Sequence, residues 1–152
     1  YGELYRKSKL KYDDDRKELE ETNYEKDGEL RSKWNYKCDD NGKFIELSIY
    51  RKDKGLTDKI KFKYDDDGNC IESRYYDKDE ELIDKFIYKF DDKGNMVYES
   101  RYDENGELQY ETEYENKEFD EEKNWLTRIG YDVSHNDGKA AEIIEREIEY
   151  YD

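Results

Sequence analysis

The sequence predicts an all-β fold, an antiparallel meander of tandem β-hairpins, twisted or rolled into an open barrel or spiral sheet. Three observations predict it: a 26-residue repeat, two turn signals in each repeat, and runs of alternating polar and apolar residues between the turns. At 152 residues the chain has the length of a single domain. The connections between runs are short, so sequential strands must pair antiparallel.

The repeat consists of columns of like residues spaced 26 positions apart. One column is aromatic with a single cysteine, one holds only tyrosine and one only leucine: Tyr12, Cys38, Tyr64 and Phe90; Tyr24, Tyr50, Tyr76 and Tyr102; Leu4, Leu30, Leu56, Leu82 and Leu108. The segment Gly2-Glu3-Leu4 repeats Gly28-Glu29-Leu30. We therefore expect the chain to begin inside a turn of an earlier unit.

Each repeat carries two turn signals, of the kinds seen at 65–69 and 103–107. An acidic residue ahead of glycine suits a type I turn closed by a left-handed glycine, because the carboxylate accepts nearby backbone N–H groups. The runs between the turns are rich in aromatic and β-branched residues, which favour strands. About eleven strands are predicted, near 4–13, 18–25, 30–39, 44–51, 56–65, 70–77, 82–91, 96–103, 108–115, 125–132 and 142–151.

Three-residue loops would make paired residues share parity, so that even-numbered side chains line one face of the sheet. That face would be the apolar one, with Trp34, Tyr36, Ile60, Phe62, Tyr64, Phe86, Tyr88, Phe90, Tyr98, Tyr110 and Tyr114. The odd face would carry lysines, whose stems cover a narrow apolar stripe. The even face needs a cover, which rolling of the sheet, dimerisation or tyrosine ladders would each provide.

The repeat predicts the domain organisation. Residues 1–115 hold the tandem hairpins, and 116–152 form an irregular carboxyl-terminal cap within a single domain. The boundary follows from the loss of the rhythm, since Phe119 lies 29 rather than 26 residues after Phe90. Terminal units of repeat proteins commonly depart from the repeat in this way.

The charge of the chain excludes several functions. Acidic residues outnumber basic ones by 44 to 28, which gives a formal net charge of −16 and argues against binding of nucleic acid. No apolar run is long enough for membrane insertion. The 17 tyrosines, 5 phenylalanines and 2 tryptophans supply the buriable surface that disordered acidic chains lack.

No catalytic or cofactor motif is present in the sequence: there is no P-loop, dinucleotide fingerprint or zinc-protease signature. The sole histidine, His135, lies beside Ser134 in an elongated loop without the context of a nucleophile and its base. Cys38 and Cys70 lie too far apart in a flat meander for a disulfide and are expected to be small apolar fillers. We predict no enzyme activity and no cofactor.

The turns resemble a known family. The segments 102–108, 76–82 and 64–69 are similar to the Tyr-Asp-x-x-Gly-x-Leu motif of YD repeats, the RHS-like family of bacterial β-ribbon proteins. Glu80 stands where that motif has glycine. A weaker resemblance is to MORN-like hairpin repeats, which are richer in glycine. The YD resemblance implies a bacterial, extracytoplasmic protein of the cell envelope that acts as a shell, spacer or binding surface without catalysis.

Two sets of residues are candidates for binding. The acidic turns are weak Ca²⁺ candidates through Asp39, Asp65, Asp67 and Asp91, although turn propensity explains the same residues. Trp34 and Trp125 depart from their columns and are the candidates for contact with a glycan or a partner protein, although packing explains them as well. A protein partner that binds the aromatic face or an edge strand, or a homodimer, stays open. The sequence thus predicts a non-enzymatic structural or binding module.

Overall fold

The computed structural model describes residues 7–12, 18–122, 124–134 and 140–148. In this part of the chain every regular element is a β-strand. The strands in chain order are β1 (Lys7–Tyr12), β2 (Glu18–Tyr24), β3 (Leu30–Cys38), β4 (Phe44–Arg51), β5 (Gly55–Tyr64), β6 (Cys70–Tyr76), β7 (Leu82–Phe90), β8 (Met96–Asp103), β9 (Leu108–Phe119), β10 (Trp125–Asp132) and β11 (Ala140–Glu145). The predicted runs at 4–13 and 142–151, the Gly2-Glu3-Leu4 segment and His135 fall wholly or partly outside the described residues.

The eleven strands form one sheet in their order along the chain, so each strand pairs with its neighbours in sequence. The registers are antiparallel. The all-β meander predicted from the sequence is therefore confirmed. The described strands form an open sheet, since β1 and β11 are the two ends of the order. Its rolling and the division at 115/116 stay predictions.

By its contacts the chain divides into two compact units. The first lies within 1–63 and 73–84 and contains β1 to β4 whole. The second lies within 64–72 and 85–152 and contains β8 to β11 whole. Each candidate site described below belongs to a single unit.

The hairpin turns have the predicted three-residue loop. In the turn after β2 the amide of Gly28 donates to the carbonyl of Glu25 at 2.9 Å, and the amide of Glu25 donates to the carbonyl of Glu29 at 2.8 Å. The turns at 39–43, 65–69, 77–81, 91–95 and 103–107 repeat both bonds. Gly28 has a φ of 86°, in the region where glycine is free of strain. Glu80 adopts the same conformation at φ 63° without being glycine.

The predicted sharing of faces by even-numbered residues is wrong, because a β-bulge follows the turn. Tyr24 pairs with Leu30, but Asn23 pairs with Ser32, so Arg31 is an extra residue. The same shift occurs between β3 and β4, between β4 and β5, and between β8 and β9. One extra residue reverses the parity of every pair beyond it. Even residues of β3 therefore share a face with odd residues of β2 and β4.

Two faces follow from this register in the first unit. The aromatic face contains the cross-strand row Tyr12, Leu19, Tyr36, Leu47 and Ile60, together with Trp34 and Ile49 of the neighbouring row. The lysine face contains the row Lys11, Glu20, Asn35, Ser48 and Lys59, together with Lys37, Glu46 and Tyr50 of the rows beside it.

The described residues contain no buried hydrophobic side chain. The most buried side chains are instead small and polar: Asn23, Ser48, Ser73 and Ser100. Asn23 accepts a hydrogen bond of 2.6 Å from Ser8, its directly opposed partner. Small residues in the middle of strands are buried because the long side chains of adjacent strands cover them, as expected for a sheet whose aromatic rings and lysine stems pack on one another.

Candidate functional site

Trp34 is half-buried in β3, on the aromatic face of the first unit. Its ring lies 6.4 Å from the ring of Tyr36, and Tyr36 lies 5.2 Å from Phe44. Two depressions of about 130 and 180 Å³ adjoin Trp34, one extending towards Glu21 and the other towards Ile49. Trp34 thus combines packing against its own sheet with an accessible flank that a ligand or partner would reach.

Trp125 begins β10 in the second unit and is engaged by two arginines. The guanidinium carbon of Arg128 lies 4.2 Å from its ring centroid, and that of Arg146 lies 3.8 Å away. Arg146 also donates from Nε to the carbonyl of Trp125, and its backbone amide donates to the carbonyl of Leu126 at 2.9 Å. The ring of Trp125 therefore makes its cation–π contacts with arginines of its own chain.

The acidic turns use their carboxylates to close the hairpins. Oδ1 of Asp39 accepts from the amides of Asn41 and Lys43, each at 2.9 Å. Asp91 accepts in the same way from Lys93 and Asn95, and Asp65 accepts from Asn69. Within the residues that the structure describes, no three His, Cys, Asp or Glu side chains come together as a metal site.

In the turns of Asp65 and Asp91, hydrogen bonding favours the ionised carboxylate. The side-chain amide of Asn69 is the main cause that lowers the pKa of Asp65, and backbone N–H groups add to it. The pKa of Asp91 is lowered as well, because hydrogen bonds from Asn95 and from the backbone outweigh partial burial. Asp67, the fourth calcium candidate, is exposed in the turn of Asp65.

Cys38 and Cys70 are reduced thiols, and each is half-buried in its own unit. The thiol of Cys70 contacts the carbonyl of Glu72 at 3.4 Å.

The lysine face carries two ion pairs between adjacent strands and one between β5 and the turn that precedes β7. Lys33 pairs with Glu20 at 2.6 Å, Lys37 with Glu46 at 3.1 Å, and Lys59 with Glu80 at 2.7 Å. The hydrogen bond that Lys59 donates to Glu80 is the main cause that raises the pKa of Lys59, and the hydrogen bond from Lys33 is the main cause that lowers the pKa of Glu20. The Lys59 side chain is only 14% exposed, which places its ammonium group among these carboxylates.

A cavity of about 200 Å³ opens on the lysine face. Its polar lining comes from Glu20, Asn35, Lys37, Glu46, Ser48, Tyr50, Lys59 and Glu80. Asn35 is part of this lining, and its carboxamide oxygen is buried and has no hydrogen-bond partner among the described protein atoms. A buried acceptor of this kind is unusual, because nearly all such groups are satisfied in folded proteins.

A second polar cluster lies on β8, β9 and β10. Tyr110 and Tyr114 both donate to the carboxylate of Glu99, at 2.5 and 3.3 Å. Burial, with Glu99 as the next cause, raises the pKa of Tyr114 to about 12. The guanidinium carbon of Arg128 lies 5.3 Å from the centroid of Tyr114, and burial lowers the pKa of Arg128. Glu99 thus holds two neutral phenols in place.

The cavity beside Asn35 was not among the sequence candidates, although the sequence contains a signal for it. Positions 9, 35, 61 and 87 are spaced 26 apart, and they hold lysine, asparagine, lysine and isoleucine. Where a shorter side chain replaces a lysine of such a column, it leaves space that the lysine would fill.

Comparisons with known proteins add no family assignment. The chain matches no protein-family model and no characterised protein. The resemblance to YD repeats therefore stays an expectation. Among the described residues, no helix is long and apolar enough to span a membrane.

Proposed function

We propose that the chain is a non-enzymatic structural or binding module of a bacterial protein that is exported or held in the cell envelope. The observation that carries the proposal is an open meander in which every described apolar side chain keeps contact with solvent. Such a sheet offers broad side-chain surfaces rather than an enclosed site. The resemblance to YD repeats supports the bacterial and extracytoplasmic setting.

The use of charged groups also supports a non-catalytic role. Carboxylates in the turns accept backbone amides, and those on the lysine face pair with ammonium groups. Catalytic carboxylates commonly have raised pKa values because burial penalises their charge. The pKa values of Asp65, Asp91, Glu20 and Glu80 are instead lowered.

A second candidate function is binding of a protein partner by the aromatic face. Leu10 and Tyr12 of β1 extend that face and are 60% and 57% exposed. Exposed apolar residues that continue a half-buried row are typical of interaction surfaces. The partner would be another protein or a second copy of the chain.

Thermal melting at two protein concentrations, with chelator and then with Ca²⁺, tests both functions. A melting temperature that does not change with protein concentration or with calcium supports a structural module that folds without a partner or an ion. A rise with concentration supports a homodimer, which Leu10→Glu should weaken by placing a charge on the aromatic face. A rise with calcium alone would assign a metal-binding role to the acidic turns and count against both.

A further inference from the structure

In the first unit, a lysine covers a tyrosine at two of the three equivalent positions on the lysine face. The ammonium of Lys9 lies 5.4 Å from the ring centroid of Tyr24, and the ammonium of Lys61 lies 5.3 Å from that of Tyr76. Both pairs are 15 residues apart in sequence. The pair at the same spacing between them is Asn35 and Tyr50.

The register places Asn35 as it places Lys9. Lys9 is opposed to Thr22, two residues before Tyr24 along β2. Asn35 is opposed to Ser48, two residues before Tyr50 along β4. Asparagine is shorter than lysine and carries a neutral carboxamide instead of an ammonium group. The cavity of about 200 Å³ lies at this position and is lined by both Asn35 and Tyr50.

The polar groups that line this cavity suit an ammonium group, which Lys9 and Lys61 provide at the other two positions. The buried oxygen of Asn35 has no partner and calls for a donor. The ring of Tyr50 offers the negative face that attracts a cation. Serine and carboxylate oxygens at Ser48, Glu20 and Glu46 are further acceptors, and an ammonium group has three N–H donors to share among them.

The long-range field of the chain favours a cation over an anion. Within the lining, the carboxylates of Glu20, Glu46 and Glu80 are each paired with an ammonium group, of Lys33, Lys37 and Lys59 in turn. The whole chain has a formal charge of −16, so its long-range field attracts cations.

We propose that this cavity, the amine pocket, binds a primary alkylammonium group over the ring of Tyr50. The group is carried either by a lysine side chain of a partner protein or by a small free amine. In both cases the ammonium donates to Oδ1 of Asn35 and takes the place that Lys9 and Lys61 fill over their own tyrosines. The amine pocket lies on the lysine face and is independent of any partner on the aromatic face.

Titration of the full chain by ¹H–¹⁵N NMR tests the proposal at low salt. The probes are n-butylammonium, Nα-acetyl-lysine methylamide and, as a neutral control of the same length, n-butanol. We expect both amines to shift the Asn35 side-chain amide and the Tyr50 amide saturably, and butanol to leave them unchanged. Tighter binding of the lysine derivative than of butylammonium would identify a partner's lysine as the ligand, and the reverse would identify a free amine.

The chain provides matched variants. Asn35→Lys supplies an internal ammonium and should weaken amine binding by about tenfold or more, the scale of one desolvated cation–π contact. Tyr50→Leu should weaken it similarly, whereas Tyr76→Leu should leave it unchanged because Lys61 already covers that ring. Circular dichroism confirms that each variant folds. Equal shifts with butanol, unaltered binding by both Asn35→Lys and Tyr50→Leu, or no saturable shift because the cavity takes up water only, would overturn the proposal.

Discussion

The ring of Tyr114 lies against the backbone of Gly130, its directly opposed partner on the next strand. A Cβ atom at position 130 would lie 3.2 Å from Cε1 of Tyr114 and 3.4 Å from Cγ2 of Thr112. Gly130 is buried in the middle of β10, a position where glycine is otherwise unfavourable. Close approach of the ring is the physical reason for glycine at this position.

We expect Gly130→Val to lower the free energy of unfolding by about 1–3 kcal/mol, because the new methyl groups overpack the contact with Tyr114. Denaturant unfolding measures the change. In a Tyr114→Ala background the same substitution should cost less, since the colliding ring is gone. An equal cost in both backgrounds would show that the ring does not set the requirement for glycine.

We expect the protein to lose stability at high pH because of Tyr114. Its pKa is raised from 10.0 to about 12 by burial first and by Glu99 second. A raised pKa means that the neutral phenol is favoured on folding, so its contribution is complete below pH 10 and is lost as pH rises to about 12. The difference in tyrosinate absorbance between the wild type and Tyr114→Phe gives the titration. Glu99→Gln should shift it to lower pH, and an unshifted curve would assign the raised pKa to burial alone.

The strands and turns were predictable because their causes are local. Alternating aromatic and polar residues specify the strands, and the carboxylate and glycine of a turn such as Asp91 to Gly94 specify its hydrogen bonds. The faces were not predictable by the same route. The extra residues of the bulges are Arg31, Ile45, Thr57 and Gln109, which share no chemical signature. Strand pairing, rather than residue type, places the bulge.

The candidate sites show the same division between local and non-local causes. Trp34 was found because it departs from its column, and the structure gives it an accessible flank. The amine pocket depends on Asn35 being opposed to Ser48 and close to Tyr50, and these pairings follow from the bulge. Comparing residues spaced 26 positions apart shows that Asn35 stands where Lys9 and Lys61 stand in other repeats. Only the register shows that Tyr50 is the tyrosine that a lysine at position 35 would cover.

Gly106 tests the conformational requirement of the turns. Its φ is 80°, and a Cβ added there would meet no atom within 4 Å. Gly106→Ala should therefore cost about 1 kcal/mol from the backbone conformation alone. Thermal or denaturant unfolding measures it, with Glu104→Ala in the same exposed turn as the control. A cost no larger than that of the control would mean that the turn relaxes to another conformation, as Glu80 shows that a side chain is tolerated at φ 63°.

Asp65 tests how far charge strengthens a turn. Its carboxylate accepts from the Asn69 side-chain amide at 3.0 Å and from the Asn69 backbone amide at 2.8 Å, and these bonds lower its pKa from the ordinary value of 3.8. A lowered pKa means that the contribution to stability is complete above that value and is lost as pH falls through the folded-state pKa. Asp65→Asn keeps the acceptor oxygen but removes the charge. Its melting temperature should therefore lie below that of the wild type at about pH 6 and converge with it at about pH 2.

Asp66→Asn controls for the change in net charge, since Asp66 is an exposed residue of the same turn. In a chain of charge −16 the removal of any carboxylate reduces repulsion, which alone would raise stability at about pH 6. The turn contribution is the difference between the two variants rather than either value by itself. If both variants shift the melting temperature equally at both pH values, the lowered pKa of Asp65 does not contribute to folding, and the carboxylate acts in the turn only through its acceptor geometry.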